Sequence, residues 1–202
     1  LPYFPPAVHC AVVDPGVGTD RAAVVVRAGD HAIVAPDNGL AMPAARRLAD
    51  DVEVFRIEDA DPESTTFHGR DVFAPAAATV HEVGVDAFHE DAAFSAFEDY
   101  TDRTFPDPTE REDGITGEVL VVDGFGNVVT NIPGEHIADR FGESVTVNGA
   151  WAPLRRTYGA VEEGNRLATV GSHGYLELAV NQGRGDKRFS LSPGARVRLK
   201  WT

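Results

Sequence analysis

A chain of 202 residues, 43% of them hydrophobic, has the composition of a globular protein and room for one large domain or two small ones. Its formal net charge is −14 at pH 7, with 32 acidic side chains against 18 Lys and Arg, so nucleic acid and anionic membrane surfaces are poor partners. No apolar run approaches the roughly 20 residues of a bilayer span and no secretory leader is visible, so a cytoplasmic location is expected.

The first predicted strand is the apolar run over 8–13. It holds the single cysteine, Cys10, which has no internal disulfide partner and reads as a small hydrophobe. The run stops at Asp14. A Pro15-Gly16-Val17-Gly18 loop follows, and Arg21 leads into a second strand over 22–27. The loop sets a carboxylate and a guanidinium at neighbouring strand ends, where they either pin a turn as a salt bridge or begin a ligand site. Further strands are expected over 32–35 and 52–56. A helix is expected over 40–49, with Leu40, Ala44, Ala45 and Leu48 at helical spacing, and an Ala-rich helix over 72–83. Alternating elements of this kind predict an α/β N-terminal domain over 1–98, a layered sheet with helices.

Residues 99–114 are charged and Pro-containing without apolar periodicity, and read as a linker. From 115 to 202 the pattern is β-rich. Strands are expected over 115–123, 128–132, 144–147, 166–170, 175–180 and 195–201, with one short helix over 135–141. This predicts a smaller all-β, barrel-like C-terminal domain. Asp123-Gly124-Phe125-Gly126-Asn127 suits a hairpin turn. Glu177 is an acid within an apolar strand and faces either a pocket or the surface. His9, His31, His81, His89 and His136 belong to no motif, and His81, Glu82 and His89 lack the spacing of a helical zinc site. Only two lysines, Lys187 and Lys200, accompany the acid excess, which fits a salt-rich, halophilic interior or simply an acidic protein.

Four separated segments carry a resemblance. They are Val12-Val13-Asp14-Pro15-Gly16-Val17-Gly18-Thr19-Asp20-Arg21, Ser64-Thr65-Thr66-Phe67-His68-Gly69-Arg70-Asp71, Val121-Val122-Asp123-Gly124-Phe125-Gly126-Asn127, and Gly171-Ser172-His173-Gly174-Tyr175-Leu176-Glu177-Leu178-Ala179-Val180-Asn181. Together and in this order they are similar to the S-adenosyl-L-methionine hydroxide adenosyltransferases, adenosine-forming hydrolases of S-adenosylmethionine related to fluorinase and chlorinase. The resemblance runs from about residue 3 to the C-terminus. Family members carry an additional N-terminal strand-and-helix segment, with an Asp for the ribose hydroxyls. These residues hold no counterpart of it, so the N-terminal domain is expected to lack its first strand-helix segment.

The resemblance implies attack of an activated water or hydroxide on the ribose 5′-carbon, giving adenosine and L-methionine, with S-adenosylmethionine as substrate and no metal or organic cofactor. Alignment of such a water contributes roughly 7–11 kcal/mol of barrier reduction. Carried over by motif, Asp14, Arg21 and His68 hold the water. Arg21 would stabilise hydroxide electrostatically, His68 would accept or relay a proton, and Asp14 would orient the water. Fluorinases carry Tyr where Asp14 stands, which favours water over halide here. In the C-terminal half Asp123 corresponds to the residue contacting the methionine amino group, Phe125 to an aromatic beside adenine, and Asn127 to a side chain on the adenine edge. Tyr158 is a candidate second aromatic. Ser172 and His173 match positions at the methionine end, His173 standing where halogenases have Arg. Val180 and Gln182 match backbone contacts to adenine, and Glu177 joins the substrate-binding candidates. The family implies a homotrimer, with each site at the junction of one subunit's N-terminal domain and a neighbour's C-terminal domain. The competing functions are a halide-using, chlorinase-like adenosyltransferase and a non-catalytic adenosine- or S-adenosylmethionine-binding protein.

Overall fold

The apolar runs of the first hundred residues become one five-stranded sheet of β1 (Val8–Cys10), β2 (Ala23–Ala28), β3 (His31–Pro36), β4 (Val52–Ile57) and β5 (Phe94–Ala96), in the order β1-β3-β2-β4-β5. The pair β1–β3 is parallel, and β3–β2, β2–β4 and β4–β5 are antiparallel. The computed structural model describes residues 1, 3–58 and 62–202. The chain divides into two compact units, Leu1–Thr104 and Phe105–Thr202.

In the first unit the consecutive valines of β2 are all buried because both faces of the sheet are covered. Val25 packs with Phe73 and Val80 on the side of helix α2 (Ala74–Val83), whereas Val24 and Val26 pack with Met42 and Ala45 of α1 (Met42–Ala45). This is the layered sheet with helices read from the sequence. Several boundaries differ. The helix expected over 40–49 is one turn, after which the amides of Arg47 and Leu48 bond three residues back rather than four, a tightening that ends it. The strand expected over 8–13 leaves the sheet after Cys10, and Val12 and Val13 are exposed. Cys10 itself is exposed rather than core, because β1 is the sheet edge.

The second unit carries β6 (Thr109–Arg111), β7 (Gly114–Val122), β8 (Val128–Pro133), α3 (Glu135–Ala138), β9 (Ser144–Val147), β10 (Ala150–Pro153), β11 (Arg166–Val170), β12 (Tyr175–Val180), α4 (Gly185–Phe189) and β13 (Arg196–Trp201). The strands run β10-β9-β13-β7-β8-β12-β11, and a bridge between Leu154 and Ala168 joins the two ends of that path. The result is a nearly closed barrel whose interior holds Ile115, Ile132, Val147, Leu176, Leu178 and Leu199. Within the stretch read as a linker, Thr109–Arg111 pairs with β7. Among the described residues no helix is long and apolar enough to cross a membrane.

Candidate active site

Two clusters of sequence-singled residues form, each within one unit. In the first, the chain leaving β1 turns over the Gly loop and returns as Arg21, so Asp14 and Arg21 meet. Arg21 Nη2 donates to Asp14 Oδ2 at 2.5 Å, and both side chains are at least nine-tenths buried (9% and 5% exposed). Arg21 Nη1 donates to the carbonyl of Ala22, and the guanidinium lies 5.2 Å from the centre of the Phe73 ring. His68 comes from the loop before α2. Its Nδ1 lies 3.2 Å from Arg21 Nη2. A guanidinium nitrogen only donates, so Nδ1 is the acceptor, and in the neutral ring the proton sits on Nε2. Among the described residues, the buried atoms Asp14 Oδ1 and Arg21 Nε have no hydrogen-bond partner. A small pocket of about 240 Å³ opens beside Arg21 and His68 and is lined also by Arg56 and Glu58. The sequence reading did not single out these last two, because β4 offered only strand periodicity.

His68 is placed by its loop. A single π-helical turn, Gly69–Phe73, separates it from α2, a feature often found at functional sites. Asp71 Oδ2 accepts the amide of Ser64 at 3.0 Å, closing the loop that carries His68. The Arg70 guanidinium hydrogen-bonded to Asp71 holds that carboxyl below its ordinary range.

In the second cluster all nine C-terminal candidates line one open cleft of about 1080 Å³. That is slightly above the ~300–1,000 Å³ usual for small-molecule sites. One wall is the β7–β8 hairpin. Asp123 Oδ1 accepts the amides of Phe125 at 2.9 Å and Asn127 at 2.8 Å, and Oδ2 accepts the Asn127 side-chain amide at 3.0 Å. The turn chemistry of this segment is therefore real, and it presents Phe125, 82% exposed, to the opening. Gly126 has φ +91°, which a side chain would strain, and its carbonyl accepts the amide of Asp186 at the start of α4.

The opposite wall comes from the β11–β12 hairpin. Glu177 faces the cleft yet is only 5% exposed. Its Oε1 accepts the Tyr158 hydroxyl at 2.6 Å, and its Oε2 lies 3.2 Å from His173 Nε2. The hydrogen bond to Glu177, together with burial and the carboxylate's charge, pushes the Tyr158 phenol up to about 12. Ser172 and Gln182 are exposed at the rim, and Gln182 adopts a left-handed φ of 53°. The carbonyl of Val180 accepts the amide of Gly183, closing the turn after β12. Arg156 and Thr169 also line the cleft and were missed. Thr169 is the register partner of Glu177, a pairing that becomes visible only when β11 and β12 are aligned.

Known proteins share this architecture across the whole chain. Residues 1–88 match the SAM hydroxide adenosyltransferase N-terminal domain, and residues 117–198 match the SAM hydroxide adenosyltransferase C-terminal domain. The (R)-S-adenosyl-L-methionine hydrolase of Salinispora tropica is 41% identical over 205 residues, covering 98% of this chain and 77% of the relative. The protein of the same name from Thermus thermophilus is 39% identical over 217 residues, covering 98% and 78%. A crystal structure of an uncharacterized conserved protein from Thermotoga maritima superposes with a TM-score of 0.80 at 31% identity, covering 98% of this chain and 78% of that one. The crystal structure of a conserved hypothetical protein from Thermus thermophilus gives 0.75 at 38% identity, covering 98% and 77%. The chain belongs to the SAM hydroxide adenosyltransferase family.

Proposed function

We propose that this protein hydrolyses S-adenosyl-L-methionine to adenosine and L-methionine. A new C5′–O bond forms between the ribose and water as the C5′–S bond breaks. The electron pair of that bond goes to sulfur, turning the sulfonium into the neutral thioether of methionine, and the water gives up one proton.

The observation that carries the reading of the first cluster is the buried, unpartnered Asp14 Oδ1 beside a buried guanidinium. A buried carboxylate oxygen without a donor is costly, and a water O–H is the donor that suits it. Asp14 Oδ1 then anchors the water and receives its proton. Arg21 supplies fixed positive charge to the developing hydroxide. His68, whose Nδ1 is taken by Arg21, braces the guanidinium. This differs from the proton-accepting role expected of His68, because its Nδ1 lone pair is already engaged.

In the second cluster Phe125 and Tyr158 supply aromatic faces for adenine, and Asn127, with its carbonyl oxygen turned away from the Asp123 bond, supplies polar atoms for the purine edge. Asp123 Oδ2 accepts a donor from the substrate ammonium in addition to Asn127. Ser172 and the backbone of His173 hold the methionine end, and Val180 and Gln182 offer backbone contacts. We assign the working form as a homotrimer in the cytoplasm with active sites between subunits. Supporting a subunit contact near each cluster, exposed Val13 and Phe67 adjoin Asp14 and His68 in sequence, and exposed Phe125 rims the cleft.

The test is direct. Full-length protein incubated with S-adenosylmethionine should yield equimolar adenosine and methionine by mass spectrometry, with oxygen from labelled water in the 5′-hydroxyl. Asp14→Asn should lower kcat by about 10²–10⁴ while KM changes little. Halogenated adenosine at high chloride, or adenosine binding without turnover, would replace this reading with one of its rivals. A monomeric mass at full activity would remove the shared-site assignment.

A further inference from the structure

Glu177 sits on β12 between Leu176 and Leu178, whose side chains belong to the barrel interior. Strand alternation therefore turns the carboxylate to the opposite face, into the cleft. A carboxylate this buried needs donors, and it has two from separate parts of the chain. Tyr158 approaches from the short turn Tyr158–Ala160, and His173 from the β11–β12 hairpin.

The bonding of His173 defines its state. The Tyr175 amide donates to Nδ1 at 3.2 Å, so the neutral ring carries its proton on Nε2, which faces Glu177 Oε2. Both ring nitrogens are thus engaged by protein, and the ring stacks on Tyr175 with centroids 6.0 Å apart. Gly171 lies against the same group. A Cβ there would run into His173 Nε2 and would stand 2.7 Å from Glu177 Oε2.

We propose that Glu177 is a positioning residue, which fixes the Tyr158 ring and the His173 imidazole as the rigid wall of the cleft without itself contacting substrate. This rests on the reading of the cleft as the S-adenosylmethionine site. The raised phenol of Tyr158 agrees with it, since a hydroxyl held by a carboxylate gives up its proton reluctantly. The competing role is direct recognition of the substrate ammonium by Glu177.

The experiment uses the full chain with Glu177→Ala, Glu177→Gln and Tyr158→Phe. It measures KM and kcat for S-adenosylmethionine, Kd for adenosine, and the pH titration of the Tyr158 phenol by NMR of ring-labelled tyrosine. Gln can accept from His173 Nε2–H with its oxygen and donate to the Tyr158 hydroxyl oxygen with its amide, so it keeps both contacts without the charge. Removing one hydrogen bond is expected to weaken adenosine and substrate binding about tenfold in Tyr158→Phe, and more in Glu177→Ala, whereas Glu177→Gln stays within about threefold of wild type; kcat stays within about threefold in all three. The phenol should titrate well below its wild-type value in Glu177→Ala. Unchanged adenosine affinity with a raised KM for S-adenosylmethionine would make Glu177 an ammonium ligand and overturn the proposal. So would a fall in kcat at constant KM, or an unshifted phenol. Should Glu177→Ala fail to fold, Tyr158→Phe, which removes one hydroxyl, still decides. Wild-type protein that binds adenosine but releases none from S-adenosylmethionine would strike the proposed activity alone, because adenosine affinity and the phenol titration still read the role of Glu177.

Discussion

Arg21 Nη2 serves two acceptors, Asp14 Oδ2 at 2.5 Å and His68 Nδ1 at 3.2 Å. The assignment of His68 as a brace has a sharp consequence. Asn places an acceptor oxygen close to where Nδ1 stands but cannot take up a proton near neutral pH. His68→Asn should therefore keep kcat within about tenfold of wild type, whereas His68→Ala loses about 10²-fold; equal losses in the two would make His68 the base. Tyr158 offers a second prediction. Its folded-state phenol, raised from 10.0 to about 12, favours the protonated hydroxyl, so this contribution to stability is complete below pH 10 and disappears as pH climbs through about 12. Tyr158→Phe should flatten the alkaline fall in stability across that window, seen as a smaller loss of melting temperature. The meeting of Asp14, Arg21 and His68 was legible through motif order. The engaged nitrogen of His68 was not, since a tautomer is set by whichever donor or acceptor the fold brings alongside.

Hairpins are where sequence chemistry and site construction overlap. The Asp123 turn was legible as a turn because Asp, Gly and Asn each suit one, and its carboxylate does accept the amides of Phe125 and Asn127. Asp123→Ala removes every one of those acceptors. It should destabilise the second unit by about 1–3 kcal/mol and weaken adenosine binding through the loss of Phe125 and Asn127 placement. Both tryptophans, Trp151 and Trp201, lie in the second unit, so tryptophan fluorescence in a urea titration follows that unit specifically. An unchanged midpoint would mean the turn holds without its carboxylate. Strands β9, β11 and β12 were legible to the residue because each is a short, largely apolar run ended by Gly or Asn. β5 and β6 were not, having only three residues each and no room for a period, and β10, Ala-Trp-Ala-Pro, is apolar throughout with a Pro at its end. A signal for β10 did exist. Asn148 and Gly149, at φ 49° and 87°, make the tight turn between β9 and β10, and an Asn-Gly pair between apolar runs is a strong hairpin sign.

At the scale of the molecule, the α/β and barrel-like architectures were legible because each leaves its own hydrophobic period. The closure of the barrel through Leu154 and Ala168 was not, as a single bridge between distant residues has no local pattern. Net charge is the other global property, and it makes its own prediction. At −14 the folded chain holds its excess acids at higher density than the unfolded one, and the mutual repulsion favours expansion. Among the described residues some ion pairs are exposed on both sides, as for Arg46–Asp102 and Lys200–Asp113, and salt weakens these only modestly because they contribute little. Raising KCl from about 0.1 to 1 M shrinks the screening length from ~10 to ~3 Å, below the spacing of most surface charges. The melting temperature should therefore rise steeply at first and level off as screening saturates. Salts that act by exclusion from the surface give instead a gain that keeps growing with concentration and is larger for sulfate than for chloride. Saturation with little anion dependence would locate the effect in the acid excess, whereas a melting temperature that falls with KCl would mean that specific ion pairs outweigh the global repulsion.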